Sequence, residues 1–243
     1  MTTPFLSIVI PAHNEESRLP RTMEQVFTFL EKQTYTSEVI IVENGSSDRT
    51  LELAREFIAH YPSLKVVHED ERGKGNAVKR GILEAQGEYR FICDADLSMP
   101  IDEVQKFLPP MLTDFDLAIA SREAPGAVRY NEPTYRHWGG RAINLAIRLL
   151  ILPGLNDTQC GFKCFRAGVA EDIFRQQTLT GWSFDIELLY LARRKHLRIK
   201  EIPIQWYFDA DSKVSAVRDA LRMIGDIFRI HGNALRGRYD LNP

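Results

Sequence analysis

Residues 6–16 read LSIVIPAHNEE, a short apolar run from Leu6 to Ile10 that passes through Pro11 into a polar segment. A run with no polar face predicts a strand covered on both sides, as in a parallel sheet. Four more follow: Glu38 to Val42 (EVIIV), Leu64 to His68 (LKVVH), Tyr89 to Cys93 (YRFIC) and Asp116 to Ala120 (DLAIA). Between them, Leu19 to Lys32, Asp48 to His60, Asn76 to Ala85 and Ile101 to Leu112 carry apolar residues at helical spacing, as Leu51, Ala54, Phe57 and Ile58 do. This alternation predicts an α/β fold, a mostly parallel, Rossmann-like sheet with flanking helices. Turn residues mark the junctions: Asn44-Gly45-Ser46-Ser47-Asp48, which also supplies capping side chains, and Gly73-Lys74-Gly75.

From about Ser121 the order changes to α+β decoration. A Gly- and Pro-containing loop, Glu123 to Pro133, leads to an apolar segment from Trp138 to Leu152, with short strands expected near Cys160 to Phe165 and Ile199 to Phe208. In the segment, Arg141, Asn144 and Arg148 share one narrow polar stripe. A last helix, Val214 to Leu235, carries Val214, Val217, Leu221, Ile224 and Phe228 on one side and Arg218, Arg222 and Arg229 elsewhere. The apolar faces of these two helices can pack on the sheet or a second subunit, as in a homodimer, or lie on a membrane surface. No repeat or linker divides the chain, so one domain is expected over residues 1–213, then an amphipathic basic helix and tail over 214–243.

Charge and length set limits. The 243 residues hold 31 Lys and Arg against 33 Asp and Glu, which excludes a nucleic-acid-coating protein. The longest stretch without these residues, Met1 to Asn14, is shorter than the roughly 20 apolar residues of a membrane-crossing helix. It also lacks the basic start and long apolar core of a signal peptide, so a cytoplasmic location without a transmembrane helix is expected. Cys93, Cys160 and Cys164 form neither a complete disulfide set nor a zinc site and are expected to be reduced packing residues. The near-neutral total hides an asymmetry: residues 1–128 carry 13 basic and 21 acidic side chains, residues 129–243 carry 18 and 12. The basic second half fits an anionic membrane surface.

In an open α/β sheet, ligands bind beyond the carboxyl ends of the strands, so the loops there matter most. The first strand ends in Pro11-Ala12-His13-Asn14-Glu15-Glu16, the second in Glu43-Asn44-Gly45-Ser46 and the fourth in Asp94-Ala95-Asp96. None is a GxGxxG fingerprint, and Gly73-Lys74-Gly75 lacks P-loop spacing, which removes the main support for a dehydrogenase or an ATPase. Two carboxylates one residue apart at a strand end can converge on Mg²⁺ or Mn²⁺, which would neutralise a leaving diphosphate. The same pair also fits solvated or N-capping aspartates before Pro100. Glu43 and Glu15 can accept hydrogen bonds from a base or ribose, and Lys74 can reach a diphosphate. Asp185 and Glu187, at the start of a helix, fit the usual acids that complement a helix dipole.

Taken in order, IPAHNEE.RL, VENGSSD.T, GKG.AV..G, DADL, ASR, DTQCGFK.F, FDIELLYLA and EIPI.W with SK resemble glycosyltransferase family 2, inverting enzymes of the GT-A fold. The resemblance runs from Phe5 to about Val214 and is strongest to the polyprenyl-phosphate branch, above all to members that glucosylate dolichyl phosphate; DTQCGFK is its most specific piece. It implies that Pro11, His13 and Glu15 line the nucleotide, that Glu43 faces the base, and that Lys74 lies near the nucleotide. Asp94 and Asp96 become the metal and diphosphate site, with Ala95 between them on the nucleotide sugar. Arg122 matches a basic position beside the donor or acceptor phosphate, Asp157 an acid at the reaction centre, and Ser212 with Lys213 a segment closing over the diphosphate. Asp157, Arg122 and Asp96 are thus the expected catalytic set.

The implied activity is metal-assisted transfer of a hexose, with glucose from UDP-glucose favoured, to a polyprenyl phosphate. GDP-mannose is the alternative donor, and nucleotidyl transfer or sugar-nucleotide binding without catalysis are weaker readings. The chain departs from the family pattern at His13, where Tyr is usual, and at Glu43-Asn44, where Asp-Asp is usual. Ser98 stands where mannosyl-type relatives often place a metal-binding Gln, and the absent QxxRW motif argues against long-chain polymerisation.

Overall fold

A computed structural model describes residues 3–209 and 216–240; within 134–138, 140, 142–143 and 216–221 it describes the backbone alone. The strands are β1 (Leu6–Ala12), β2 (Ser37–Glu43), β3 (Leu64–His68), β4 (Tyr89–Ile92), β5 (Leu117–Ser121), β6 (Val128–Tyr130), β7 (Lys163–Arg166), β8 (Ile199–Pro203) and β9 (Gln205–Tyr207). The helices are α1 (Leu19–Glu31), α2 (Thr50–Phe57), α3 (Lys74–Glu84), α4 (Thr134–Leu150), α5 (Ala167–Gln176), α6 (Phe184–Arg194) and α7 (Ala216–Leu235). Seven strands form one sheet in the order β3-β2-β1-β4-β7-β5-β8, and β6 pairs with β9 in a small second sheet. In the large sheet only β7 runs antiparallel to its neighbours.

Alternation along each strand divides the interior into two cores. Leu6, Ile8 and Ile10 of β1, with Val39 and Ile41 of β2, face Met23 and Val26 of α1, Ala54 of α2 and Val104. Val9, Ile40 and Val42 face the other way, onto Ala77, Val78 and Ile82 of α3. The same core takes Ile173 and Phe174 of α5, Leu188 and Leu189 of α6, and Met223, Ile227 and Ile230 of α7. Cover on both faces is the reason these strands read as unbroken apolar runs. The three cysteines are free and buried. No helix among the described residues is long and apolar enough to cross a membrane.

The five strands of the first half stand within two residues of their expected ends. Ile101 to Leu112 does not form the expected α-helix. It holds a 3-10 helix, Ile101–Phe107, and Pro109 and Pro110, which lack N–H donors, prevent its extension. The helix α3 begins at Lys74 rather than Asn76, which puts Lys74 in its first turn. The cap position of α2 is Arg49, without a side-chain cap bond, and the turn cluster contributes one residue earlier, where Asp48 Oδ1 accepts the Thr50 N–H at 3.0 Å.

Candidate active site at the strand ends

The loops after β1 and β2 are joined by side chains. His13 Nδ1 lies 2.8 Å from the Asn44 carbonyl, Ser46 Oγ accepts the Asn14 N–H at 3.0 Å, and Asn14 Oδ1 accepts the Ser47 N–H at 2.8 Å. Thr50 Oγ1 accepts the Glu15 N–H at 2.8 Å. Asn14 itself takes a positive φ of 54°, which turns the chain directly out of β1. Asn44 extends the network to a third loop: its amide donates to the Glu69 and Glu71 carbonyls at 2.9 and 2.8 Å, and its Oδ1 accepts the Gly73 N–H at 2.8 Å. An aspartate cannot make both donations, so this departure from the family pattern is built into the loop structure.

Glu43 is buried, with its carboxylate engaged inside the protein. Oε1 accepts from the Ser46 N–H and Oε2 lies 2.5 Å from His68 Nδ1, whose Nε2 is 3.1 Å from Asp70. Burial pushes Glu43 upward, but the bonds from Ser46 and His68 outweigh it and hold the acid below its ordinary range. Glu15 pairs with Arg18 at 3.1 Å, and Arg18 reaches Asp209 at 2.9 Å. Pro11, near the end of β1, is half-buried, and His13, just beyond it, is exposed.

The turn after β4 carries Asp94, Ala95 and Asp96. Thr22 of α1 donates to the Ala95 carbonyl at 2.6 Å, Asp96 Oδ1 accepts the Ser98 N–H at 2.9 Å, and Leu97 takes a positive φ of 45°. A β-carbon on Gly161 would lie 2.0 Å from Asp94 Oδ2, so any side chain there would force this carboxylate off its present position. Lys74 Nζ pairs with Asp94 Oδ1 at 2.7 Å. Asp96 is raised, first by burial and then by the charge of Asp94. Two crowded carboxylates of this kind fit a divalent cation. Among the described residues no group of three or more His, Cys, Asp or Glu stands ready to hold a metal, so diphosphate oxygens and water would have to complete the shell.

Asp157 and Arg122 form a buried two-pronged pair: Nε to Oδ2 at 2.7 Å and Nη2 to Oδ1 at 2.9 Å, with the Arg122 N–H adding 3.0 Å to Oδ2. Burial alone would raise Asp157, yet Arg122 holds it at about 2. It is therefore an anion throughout the neutral range and carries no proton to exchange. Glu201 of β8 fixes the loop from below, accepting the Asn156 and Asp157 N–H groups at 2.9 and 3.0 Å. The Arg122 guanidinium also lies 5.4 Å from the Trp206 ring centre.

Asp185 and Glu187 are buried and do more than complement a helix dipole. Asp185 pairs with Lys163 at 2.8 Å and lies close enough to Lys74 to raise its affinity for the proton. Glu187 accepts the Thr178 and Leu179 N–H groups at 2.9 and 2.7 Å and the Tyr239 hydroxyl at 2.6 Å. Neither role is visible in the sequence, where a helix start accounts for acids without any partner. Ser212 and Lys213 lie outside the described residues.

Comparison with known proteins converges with this geometry. Residues 7–174 match the family model described as glycosyl transferase family 2. A dolichyl-phosphate beta-glucosyltransferase of Dictyostelium discoideum is 31% identical over 247 residues, 96% of this chain and 76% of that protein. The enzymes of that name from Homo sapiens and Saccharomyces cerevisiae are 33% and 32% identical, over 98% and 97% of this chain and 78% and 76% of theirs. Among solved structures, glucosyl-3-phosphoglycerate synthase from Mycobacterium tuberculosis, in complex with Mn²⁺, UDP-glucose and phosphoglyceric acid, superposes with a TM-score of 0.65 at 18% identity. That superposition covers 94% of this chain and 80% of the synthase, and shows a shared fold.

Proposed function

The chain belongs to glycosyltransferase family 2, and from that membership we propose that it transfers glucose from UDP-glucose to a polyprenyl phosphate of the dolichyl or undecaprenyl type, with inversion at the anomeric carbon. The observation that carries this reading is the convergence of Lys74, Asp94 and Asp96 at the end of β4. A cation, two carboxylates and three interlocked loops on one sheet edge suit a nucleoside diphosphate linked to a sugar.

Asp94 and Asp96 would hold Mg²⁺ or Mn²⁺, and the ion, when bound, supplies charge neutralisation for the departing diphosphate. Lys74, fixed against Asp94, adds a cation next to the same group. The loops carrying Pro11, His13 and Glu15 bind the nucleotide; Glu43 supports them from within, through Ser46. Arg122, oriented by Asp157 through Nε and Nη2, presents Nη1 to a phosphate oxygen. The acceptor phosphate is already anionic near neutral pH, with a second pKa of about 6. Orientation and leaving-group stabilisation therefore dominate, and no strong general base is required. Asp157, ionised and committed to Arg122, positions the guanidinium. The family resemblance assigns Ser212 and Lys213, which lie outside the described residues, to the donor diphosphate.

The protein works peripherally at the cytoplasmic face of an anionic membrane. Leu145, Leu149 and Leu150 on α4 and Ile224 and Phe228 on α7 are exposed, and Arg222 and Arg229 are exposed on α7. An apolar strip with basic neighbours suits anionic lipid, where the acceptor resides.

The test is purified protein with Mg²⁺ or Mn²⁺, a short polyprenyl phosphate and a panel of UDP- and GDP-sugars. UDP release together with glucosylated lipid is the expected result. Product from GDP-mannose alone would reassign the donor, and no product from any sugar would overturn glycosyl transfer to such a lipid.

A further inference from the structure

A single exposed aromatic side chain is ordinary at a protein surface. Trp182 differs because the segment that carries it is fixed to the candidate site from several sides. The Gly75 N–H donates to the Thr180 carbonyl at 2.8 Å, and Gln177 Nε2 donates to the Gly75 and Leu179 carbonyls at 3.0 and 2.8 Å. A β-carbon on Gly73 would fall 2.2 Å from the Thr180 carbonyl oxygen, and one on Gly75 2.7 Å from that of Leu179. The two glycines around Lys74 thus exist to let this second backbone lie against theirs. From the other side, Glu187 holds the Thr178 and Leu179 N–H groups at 2.9 and 2.7 Å.

The bracket sets the indole beside the ammonium that pairs with Asp94. Lys74 Nζ lies 4.9 Å from the Trp182 ring centre and 2.7 Å from Asp94 Oδ1. Even so, 47% of Trp182 stays open to solvent. A β-carbon on the preceding Gly181 would meet nothing within 4 Å, so the backbone leading to Trp182 is itself uncovered. A rigid aromatic surface next to a diphosphate-binding lysine has the chemistry to take the apolar C–H face of a pyranose, because the ring's electron-rich face attracts positively polarised edges.

We propose that Trp182 is the platform for the hexose of the donor and contributes to sugar recognition, while leaving the nucleotide to the loops after β1 and β2. This rests on the reading of the site as one for a nucleotide sugar. It assigns Trp182 to the sugar rather than the base because the indole lies against Lys74, the partner of Asp94, whereas Glu43, which supports the nucleotide loops from within, stands two strands away at the end of β2.

Calorimetric titration of UDP and of UDP-glucose, each with Mn²⁺, into the wild type, Trp182→Ala and Trp182→Phe separates the possibilities. Trp182→Ala is expected to bind UDP within about twofold of the wild type and UDP-glucose about tenfold more weakly, with Trp182→Phe recovering most of the loss. Equal weakening of both ligands, or of neither, would overturn the platform while leaving the donor site standing. If the wild type prefers GDP-mannose, the same comparison is made between GDP and GDP-mannose with the same criterion. A wild type that binds no nucleotide sugar would overturn the reading of the site and the platform with it.

Discussion

Arg122 grips Asp157 with two side-chain N–H groups, at 2.7 and 2.9 Å, and closes the pair with its own backbone N–H at 3.0 Å. A carboxylate so held acts through its partner. Asp157→Asn removes the anion and turns an amide against the guanidinium, and breaking a buried pair from one side costs about 3–5 kcal/mol. The variant is expected to unfold at lower urea and to lose turnover through a misoriented Arg122, while UDP still binds. The pH dependence has a definite sign: Asp157 is depressed to about 2, so its stabilisation is present above the unfolded value of about 3.9 and is lost as pH falls toward 2. Urea titrations at pH 7 and pH 3 should therefore show the gap between wild type and variant narrowing in acid. The pH–rate profile of the wild type should have no limb near neutrality that disappears in Asp157→Asn.

Gly161→Ala tests the approach of the DTQCGFK loop to Asp94. The new methyl carbon would sit 2.0 Å from Oδ2 and 2.6 Å from Cγ, so the carboxylate has to turn away. A displacement of about 1 Å at a reacting site can lower a rate on the order of 100-fold. We expect a loss of that size in kcat with a raised Mn²⁺ requirement and nearly unchanged circular dichroism. Near-normal turnover would mean that Asp94 has freedom that the packing denies.

Strands β1, β2 and β5 are legible because burial on both faces writes an apolar run, and turn residues mark their ends; β3, at the sheet edge and half-exposed, is legible from its valines alone. The antiparallel β7 (KCFR) is half charged, and its buried Lys163 is paired with Asp185, from a distant helix, and donates to the Cys160 carbonyl. Such a pairing leaves no periodic trace. The acids after β4 are legible as a DxD at a strand end. Asn44, Glu187 and Glu201 are not, since each acts by receiving or donating backbone hydrogen bonds across 25 residues or more, or, for Glu187, nine residues back to the loop before α6. The 3-10 conformation at Ile101–Phe107 is similarly hidden, because its apolar spacing is compatible with an α-helix.

Lys163 and Asp185 are a buried pair at 2.8 Å beneath the site. Lys163→Met strands the carboxylate, and a loss of about 3–5 kcal/mol is expected. Replacing both, as Lys163→Met with Asp185→Leu, removes the uncompensated charge and should return most of that stability. Activity should not return with it, because Asp185 also supports the charge of Lys74. Chemical denaturation and turnover of the three variants check this. A double variant with full activity would make the pair purely structural.

His68 links the β2 loop to pH. The hydrogen bond donated to Glu43 raises the imidazole, as do the charges of Glu43 and Asp70, so its stabilisation is complete below the unfolded value of about 6.5 and is lost as pH rises through the folded one. Glu43 has the opposite sign: it is depressed, and its contribution is present above its unfolded value of about 4.3 and falls away in acid. The deficit of His68→Gln should accordingly be greatest near pH 5 to 6 and shrink by pH 9. NMR titration of the His68 ring should place its midpoint above 6.5. A midpoint at or below that value would show that the Glu43 contact is not maintained in solution.

The face shared by α4 and α7 yields a prediction that separates lipid binding from catalysis. The helices pack together, and Leu149 and Phe228 leave 77% and 69% of their surfaces in water. Burial in a headgroup layer is favourable for both, and Arg222 and Arg229 add about 1 kcal/mol each near an anionic surface. The wild type should float with vesicles containing phosphatidylserine at low salt. Arg222→Gln with Arg229→Gln should weaken that binding about 30-fold and flatten its salt dependence. Leu149→Ser with Phe228→Ser should reduce it at every salt concentration, because the apolar term is not screened. Turnover with a short-chain acceptor dispersed in water should stay near the wild-type value in both double variants, since such an acceptor is reached without docking on a vesicle. Unchanged flotation in both would remove α4 and α7 as the membrane-facing surface, and the basic balance of the second half would then need another explanation.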